Sequence, residues 1–236
     1  MSDRKRVVRM GRGRGLVPGS AFLLLLLGGG SVLLSACAST AVPKEHLYLL
    51  PLLGRGASPS AGKGPVLLVE PVKAVGLCRG DRIWARVSGM EAEPWVRHRW
   101  ALPAPQVVRR AAAAWARGKG LFSQVRLDPL GVAGDRLCLR LTLTALEEVD
   151  RPEGIFARIR MEAFARRISR GKGEGRPSAR VVEVEEPVRE KDAAGVVRAL
   201  GRAFGKAMDE LLEAWIREGL LERPEETARG VPPGGA

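Results

Sequence analysis

The stretch RLCLRLTLTALEEVD, residues 136–150, has the clearest pattern in the chain. Leucines at positions 137, 139, 141 and 143 alternate with Cys138, Arg140, Thr142 and Thr144. Successive side chains of a strand point to opposite faces, so this alternation predicts a strand with one buried, leucine-rich face. Glu147 and Glu148 are neighbours in the same strand. They are therefore expected on opposite faces, where they cannot act together as an acid and base pair.

The segments that follow continue the same pattern. DRPEG, residues 150–154, predicts a turn into IFARIRMEAFARRIS, residues 155–169, where alternate residues are again apolar. GKGEGRPS, residues 171–178, predicts a second hairpin into ARVVEVEEPV, residues 179–188. Charged residues on the outer faces of these strands would oppose edge-to-edge pairing between molecules. Together the segments predict an antiparallel meander.

Two helices are predicted to cover the leucine face. The spacing of Val107, Val108, Ala111 and Trp115 predicts the first over residues 106–120, with Gly118 and Gly120 at its end. A second helix is predicted over residues 193–220, and its apolar stripe consists of Val197, Leu200, Phe204, Met208, Leu211, Leu212 and Trp215. The resulting expectation is a single α+β domain in which a mainly antiparallel sheet carries both helices on one face.

The preceding segments predict shorter strands. They cover residues 46–53, residues 65–77 with an interruption at Pro71, residues 81–89 and residues 121–130. EPWVRHRWALPAP, residues 93–105, contains three prolines and is predicted to be irregular.

The N-terminus has the three parts of a secretory signal. A basic head precedes a 16-residue apolar run, residues 21–36, which ends in small residues. Three glycines interrupt this run, and a bilayer-spanning helix needs about 20 apolar residues, so a permanent transmembrane anchor is not expected. LSAC, residues 34–37, resembles the lipobox of bacterial lipoproteins. That resemblance implies cleavage before Cys37, lipidation of its thiol and acylation of the new N-terminus; the alternative is an ordinary signal peptide with a chance cysteine.

These features divide the chain into four parts. We expect a lipoprotein signal peptide at residues 1–36, a lipidated tether at 37–45, the folded domain at 46–221 and a disordered tail at 222–236. Ala38 is not the aspartate that favours inner-membrane retention in enteric-type lipoproteins, which favours the outer membrane. The first 36 residues hold six basic side chains and one acidic side chain, so the net charge falls from +13 to +8 after cleavage. A nucleic-acid partner is not expected, because an exported protein would not meet one.

The composition offers little for catalysis. The chain has only two histidines, and no spacing of His, Cys and carboxylate residues is typical of a metal site. No glycine-rich phosphate loop is present, and no cofactor is expected. Besides Cys37 the chain has Cys78 and Cys138, and an exported compartment would permit a disulfide between them. Whether the two cysteines meet stays open at this point.

A family resemblance rests on a set of short motifs. They are the lipobox, Tyr48 in an early strand, LLVEPVKAVG at residues 67–76, His98, Arg99, Trp100, Ala101 and Pro105, and GLFSQV at residues 120–125. In this order they resemble the ABC-type transport auxiliary lipoproteins, the PqiC-like family, across most of residues 46–216. EAEPWV, residues 91–96, stands where members of this family often have several tyrosines.

The resemblance implies a periplasm-facing lipoprotein that works beside an MCE-type substrate-binding protein and its ABC permease and ATPase. Such systems move lipids or other hydrophobic molecules across the envelope, and the auxiliary subunit would bind or scaffold its partner without catalysing a reaction. The candidate partner-binding residues are Trp95, His98, Arg99 and Trp100, because aromatic and arginine side chains anchor interfaces. Trp100 is alternatively expected to fill the core. A structural or assembly-factor envelope lipoprotein, similar to that of lipopolysaccharide transport, is the alternative function. Whether the protein forms a homo-oligomer stays open.

Overall fold

A computed structural model describes residues 44–51, 62–132, 134–169 and 173–222. These residues belong to one compact unit, Pro43–Ala236. In chain order the elements are β1 (His46–Tyr48), β2 (Gly64–Val69), β3 (Lys73–Ala74), β4 (Arg82–Arg86), β5 (Ala92–Trp100), α1 (Ala104–Lys119), β6 (Phe122–Arg126), β7 (Arg136–Arg151), β8 (Gly154–Ser169), β9 (Gly173–Glu174), β10 (Ser178–Pro187) and α2 (Ala193–Arg217). The predicted signal peptide, Cys37, most of the tether and the tail beyond residue 222 lie outside the described residues.

The strand β7 organises the sheet, because both of its edges are paired along most of its length. On one edge it pairs antiparallel with β8, which in turn pairs antiparallel with β10 and with the short β9. This half of the sheet is the meander that the alternation predicts. Its buried face carries the four leucines of β7 and alternate residues of β8 from Ala157 to Ala165.

The other edge of β7 pairs with three strands in succession, and all three run parallel to it. They are β2, β3 and β4. Beyond them, β2 pairs parallel with β6, while β4 pairs antiparallel with β5, which pairs parallel with β1. The sheet is therefore mixed, and the expectation of a mainly antiparallel sheet is wrong. The reason is that β2, β3 and β4 follow one another along this edge of β7 in one direction, and the chain reverses only at the hairpin between β4 and β5.

Both helices contribute to one core together with the leucine face. Helix α1 ends at Gly120, which adopts the left-handed conformation favourable to glycine. Helix α2 begins after Asp192, whose side chain accepts a hydrogen bond from the amide of Gly195. The indole of Trp115 in α1 donates a hydrogen bond of 2.9 Å to Asp209 in α2, which joins the helices directly. All seven residues of the predicted α2 stripe are buried.

One irregularity in β7 changes which of its residues reach the core. Leu143 faces Met161 of β8, but the next pair is Ala145 with Arg160, so Thr144 is an extra residue. Such a β-bulge shifts the alternation by one position. Even-numbered residues continue the core face after it, which places Leu146 and Glu148 there. Glu147 points to the outer face, where Arg86 and Arg158 bind it.

Residues 92–100 form a strand, so the prediction of an irregular passage from residue 93 is wrong for this part. Hydrogen bonding to β4 on one side and to β1 on the other holds β5 extended in spite of Pro94. The ladder with β4 is interrupted directly after Pro94, at a position where a missing amide is tolerated. The predicted break at Pro71 is present as the gap between β2 and β3.

The two described cysteines are free. Cys138 lies near the start of β7, whereas the thiol of Cys78 hydrogen-bonds the backbone of Leu146, eight residues further along the same strand. At about 3.3 Å per residue this separates them by about 25 Å, and a disulfide requires Cα atoms within about 7 Å. The disulfide that the sequence left open is therefore not formed.

Neither described helix combines the length and the apolar character that a bilayer-spanning segment needs.

The contact between α2 and the segment that follows β1 is testable with two glycines of the same helix. A side-chain carbon at Gly201 would clash with the backbone oxygen of Pro51, whereas nothing lies close to Gly205. We expect Gly201→Ala to destabilise the protein by about 1–3 kcal/mol through overpacking. Gly205→Ala should be neutral or stabilise by up to about 1 kcal/mol, because alanine favours helices. Urea unfolding followed by circular dichroism measures both, and equal midpoints for the two variants would contradict the proposed contact.

Candidate partner-binding site

The candidate residues lie on β5, at a second irregularity of the sheet. Between the pairs Trp84–Pro94 and Arg82–Arg99, β4 advances by two residues and β5 by five. Residues 95–98 of β5 therefore have no ladder partner in β4 and form a large bulge relative to that strand. Bulges are common beside functional sites, because they redirect side chains that a regular strand would point alternately up and down.

Trp95 anchors this bulge to the core face of β7. Its indole nitrogen donates a hydrogen bond of 2.9 Å to Oε2 of Glu148. Glu148 is 1 % exposed. A buried carboxylate loses much of its hydration and depends on hydrogen bonds for compensation. The Trp95 indole supplies one such bond, and it can do so only because the bulge at Thr144 turns Glu148 towards the core face.

His98 is surrounded by three aromatic or heteroaromatic side chains. Its ring stacks on that of His46, with centroids 5.0 Å apart and an interplanar angle of 14°. The rings of Trp95 and His98 are perpendicular, with centroids 5.5 Å apart. A hydrogen bond of 3.0 Å joins His98 Nδ1 and Tyr48 Oη, although the two residues are 50 positions apart in the sequence. We call Tyr48, Trp95, His98 and Glu148, together with His46, the aromatic cluster.

The surroundings disfavour charge on two members of the cluster, His98 and Tyr48. Burial lowers the pKa of His98, and the adjacent His46 lowers it further, while Asp192 opposes the change. Burial also raises the pKa of the Tyr48 hydroxyl, and Asp192 adds to this effect. Near neutral pH the side chains of His98 and Tyr48 are therefore uncharged. They are suited to packing and hydrogen bonding rather than to proton transfer.

The other two predicted residues have different surroundings. Arg99 is partly exposed and forms ion pairs with Glu45 at 3.1 Å and with Asp81 at 3.5 Å. Trp100 is 1 % exposed and belongs to the hydrophobic core. Its side chain therefore cannot contact a partner of the folded domain. The expected core role of Trp100 is confirmed, and its assignment to the interface is wrong.

The structure adds residues that the sequence did not single out. Glu148 joins the cluster through long-range packing that no local motif signals. Next to the cluster, Leu47, Leu49 and Val96 are 63 %, 59 % and 79 % exposed, so the β1–β5 edge presents three large apolar side chains beside the charged pair Arg99 and Glu45. Exposed apolar side chains combined with an arginine are typical of interaction surfaces. Among the described residues, no group of three or more potential ligands could hold a metal ion.

Comparison with known sequences identifies the family. The model of the "ABC-type transport auxiliary lipoprotein component" family matches residues 48–211. The chain belongs to this family. The match begins at Tyr48 and so includes all of the aromatic cluster except His46. It also confirms the resemblance that the motifs indicate. No curated protein matches the chain in sequence.

Two solved crystal structures share the fold of this chain. Protein XCC0632 from Xanthomonas campestris, of the family DUF330, is 18 % identical, with a TM-score of 0.54 over 74 % of this chain and 97 % of that one. A second crystal structure, of an uncharacterized protein, is also 18 % identical, with a TM-score of 0.54 over 72 % of this chain and 98 % of that one. At this level of identity the likeness concerns the fold of the ABC-type transport auxiliary lipoprotein domain alone.

The lowered pKa of His98 predicts a pH-dependent stability. As the pH falls below 6.5, the ordinary pKa of histidine, the unfolded chain binds this proton before the folded chain does. The free energy of unfolding therefore decreases between pH 6.5 and the lower pKa of the folded state. When the pH is lowered from about 7.5 to about 5.5, the melting temperature of His98→Gln should fall by less than that of the wild type.

His46→Gln provides a second arm of this measurement. It removes the neighbour that lowers the pKa of His98, so its loss of melting temperature should lie between those of the wild type and His98→Gln. Identical pH profiles for all three proteins would show that the stacked rings do not determine the titration of His98.

Proposed function

We propose that this protein is a lipid-anchored, periplasm-facing auxiliary subunit of an ABC transport system with an MCE-type substrate-binding protein. In this proposal it binds or scaffolds its partner and does not catalyse a reaction. The system would move lipids or other hydrophobic molecules across the cell envelope. The observation that carries the proposal is the family match over residues 48–211, combined with an aromatic cluster and an exposed apolar edge at one place on the sheet.

A binding role fits the arrangement of the β1–β5 edge. Leu47, Leu49 and Val96 offer apolar area to a partner, and the aromatic cluster behind them is held by hydrogen bonds and ring contacts. A preformed surface loses less conformational entropy on association than a flexible one. Arg99 lies at the rim of this surface, paired with two carboxylates, where it can exchange one of them for a partner's acidic group.

The proposed anchor is a lipidated Cys37, cleaved from the signal peptide and acylated at its new N-terminus. Two or more acyl chains are needed for lasting attachment, because one chain binds only marginally. Ala38 favours the outer membrane in this proposal. The domain would then face the periplasm on a tether that ends where β1 begins.

The anchor is testable by metabolic labelling. We expect radioactive palmitate to label the wild-type protein and not Cys37→Ser, because the acyl chains require the thiol and the processing that follows its modification. Fractionation of the two membranes in the same cells should place the labelled protein with the outer membrane. Cys138→Ser, which retains the lipobox, is the matched control and should label like the wild type. Label on Cys37→Ser would contradict the proposed attachment point.

The partner is testable by co-purification from detergent-solubilised membranes. A tagged, lipidated protein should recover the MCE-type protein, the permease and the ATPase. Val96→Asp and Arg99→Ala should each reduce this recovery by about tenfold. A tenfold loss of affinity corresponds to about 1.4 kcal/mol of binding free energy.

Two variants elsewhere on the surface provide the matched controls for co-purification. Leu130→Asp changes a leucine that is 75 % exposed, and Arg140→Ala removes an arginine that is also paired with a carboxylate, Glu70. Both should recover the partner like the wild type. Recovery of lipopolysaccharide-assembly proteins in place of the transport proteins would support the alternative of an assembly factor. Equal losses for all four variants would contradict a partner site at the β1–β5 edge.

A further inference from the structure

The tip of the hairpin between β4 and β5 exposes the most accessible large apolar side chain among the described residues. Met90 is 96 % exposed, and Val87 at the start of the same turn is 39 % exposed. The two residues before Met90 in the turn, Ser88 and Gly89, have small side chains. Ser88 Oγ accepts a hydrogen bond from the amide of Glu91, which orders the turn around the methionine. An ordered turn that presents an unbranched, flexible apolar side chain suits contact with a soft apolar phase.

The strand directions place this tip on the same side of the sheet as Lys44 and Glu45, the first described residues. β1 and β5 are parallel, with His46 level with His98, so the N-terminal end of β5 and the residues preceding His46 lie towards the same end of the sheet. β4 runs in the opposite direction to β5. Its first residue, Arg82, pairs with Arg99 near the level of β1, and its last residue, Arg86, pairs with Ala92 at the end of the sheet that carries the tip. At about 3.3 Å per residue the tip extends roughly 15 Å beyond β1 in that direction.

The tether is long enough for the tip and the anchor to meet one surface. Cys37 precedes His46 by nine residues, which span at most about 30 Å when extended. This reach exceeds the roughly 15 Å by which the tip projects beyond β1. A lipid attached at Cys37 can therefore be inserted in a bilayer while Met90 contacts the same bilayer.

An arginine-lined cavity lies beside the tip at the same end of the sheet. It has a volume of about 400 Å³, and its lining includes Arg86, Arg151 and Arg158 together with Ser88, Gly89 and Asp150. The parallel register of β4 with β7 brings Arg86 level with Val149, so the cavity lies between the tip and the turn that joins β7 to β8. This position corresponds to the polar layer of a membrane if Met90 lies in its apolar layer.

The charges around the cavity are mixed rather than uniformly basic. Arg86 and Arg158 share Glu147, and Arg151 binds Glu185 at 2.6 Å. Asp150 lies in the lining, and Glu91 follows Met90. A surface with both signs of charge is complementary to a zwitterionic headgroup, which carries a phosphate and an ammonium group. It does not require an excess of anionic lipid.

We infer that the β4–β5 tip is a membrane-docking element, with Met90 inserted among acyl chains and the arginine-lined cavity against phospholipid headgroups. The inference rests on the proposed lipidation of Cys37, because that anchor determines which surface the tip meets. The occupant is the bilayer that holds the anchor. Docking at this end leaves the β1–β5 edge beside it accessible to a protein partner. The tip and the tether would together hold the domain in one orientation on the membrane.

The test uses the full lipidated protein in phosphatidylethanolamine vesicles with an environment-sensitive nitrobenzoxadiazole probe. Met90→Cys and Leu130→Cys are labelled in parallel at the introduced thiol. Cys78 and Cys138 are buried, and burial raises the pKa of Cys78 to about 11, so neither competes in the folded protein. Leu130 is 75 % exposed and precedes β7, at the end of that strand opposite to the tip, which makes it the matched control.

We expect the emission maximum of the probe at position 90 to shift to shorter wavelength when the protein binds vesicles. Lipids with brominated acyl chains should quench at least half of this emission. The probe at position 130 should show neither change, and the shift at 90 should persist at high salt. Flotation of the protein with its vesicles is read in the same samples. A floating protein whose probe at 90 behaves like that at 130 would overturn the docking element and leave the anchor intact. A protein that fails to float would overturn the anchor and the docking element together.

Discussion

Thr144 is an extra residue in β7, because the ladder with β8 passes from Leu143–Met161 directly to Ala145–Arg160. The candidate site depends on this one insertion. Without it, the strand would continue to place odd-numbered residues on the core face, and Glu147 would occupy the position that Glu148 holds. Glu148 could then not receive the indole hydrogen bond of Trp95. The bulge in β7 thus positions the carboxyl group that binds Trp95 in the bulge of β5, while the parallel ladder of β1 with β5 places His98 level with His46 and near Tyr48.

The two edges of β7 pair with strands of opposite direction, antiparallel on one side and parallel on the other. The antiparallel half, β8 and β10, carries α2 and supplies most of the apolar packing. The parallel half consists of short strands that each cover only part of β7, and this leaves their ends and outer edges for other contacts. The direction of β1 is decisive here. Because it runs parallel to β5, the first described residues, Lys44 and Glu45, lie beside the β1–β5 edge and on the side of the β4–β5 tip. The edge and the tip are therefore arranged by strand order alone.

Sequence patterns predicted the elements whose signal is local. The alternation in residues 136–188 identified the meander, and the stripe from Val197 to Trp215 identified α2, because a single face of each element is buried and the period is visible. The sheet type was not predictable in the same way, since the parallel pairing of β2, β3 and β4 with β7 joins distant parts of the chain and is not visible in any strand's own residues. Pro94 misled the prediction for β5. A proline excludes one hydrogen bond, but it does not exclude a strand whose ladder is interrupted next to it. The role of Trp95 could be suspected from its residue type, whereas the Tyr48–His98 contact spans 50 residues and required the fold.

A carboxylate on the core face of a small domain would lower its stability if it had no hydrogen-bond donors, and a leucine at position 148 would be the simpler choice for packing. The indole of Trp95 changes this balance, because leaving a buried acceptor without a hydrogen bond costs about 1–3 kcal/mol. That hydrogen bond is available only when β5 is bulged, since the bulge is what brings Trp95 to Glu148. The buried polar contact therefore favours one conformation of residues 95–98 over a regular strand that would otherwise compete with it. The surface built on this segment is fixed by an interaction beneath it. Its apolar and charged residues can consequently vary without altering the shape that presents them.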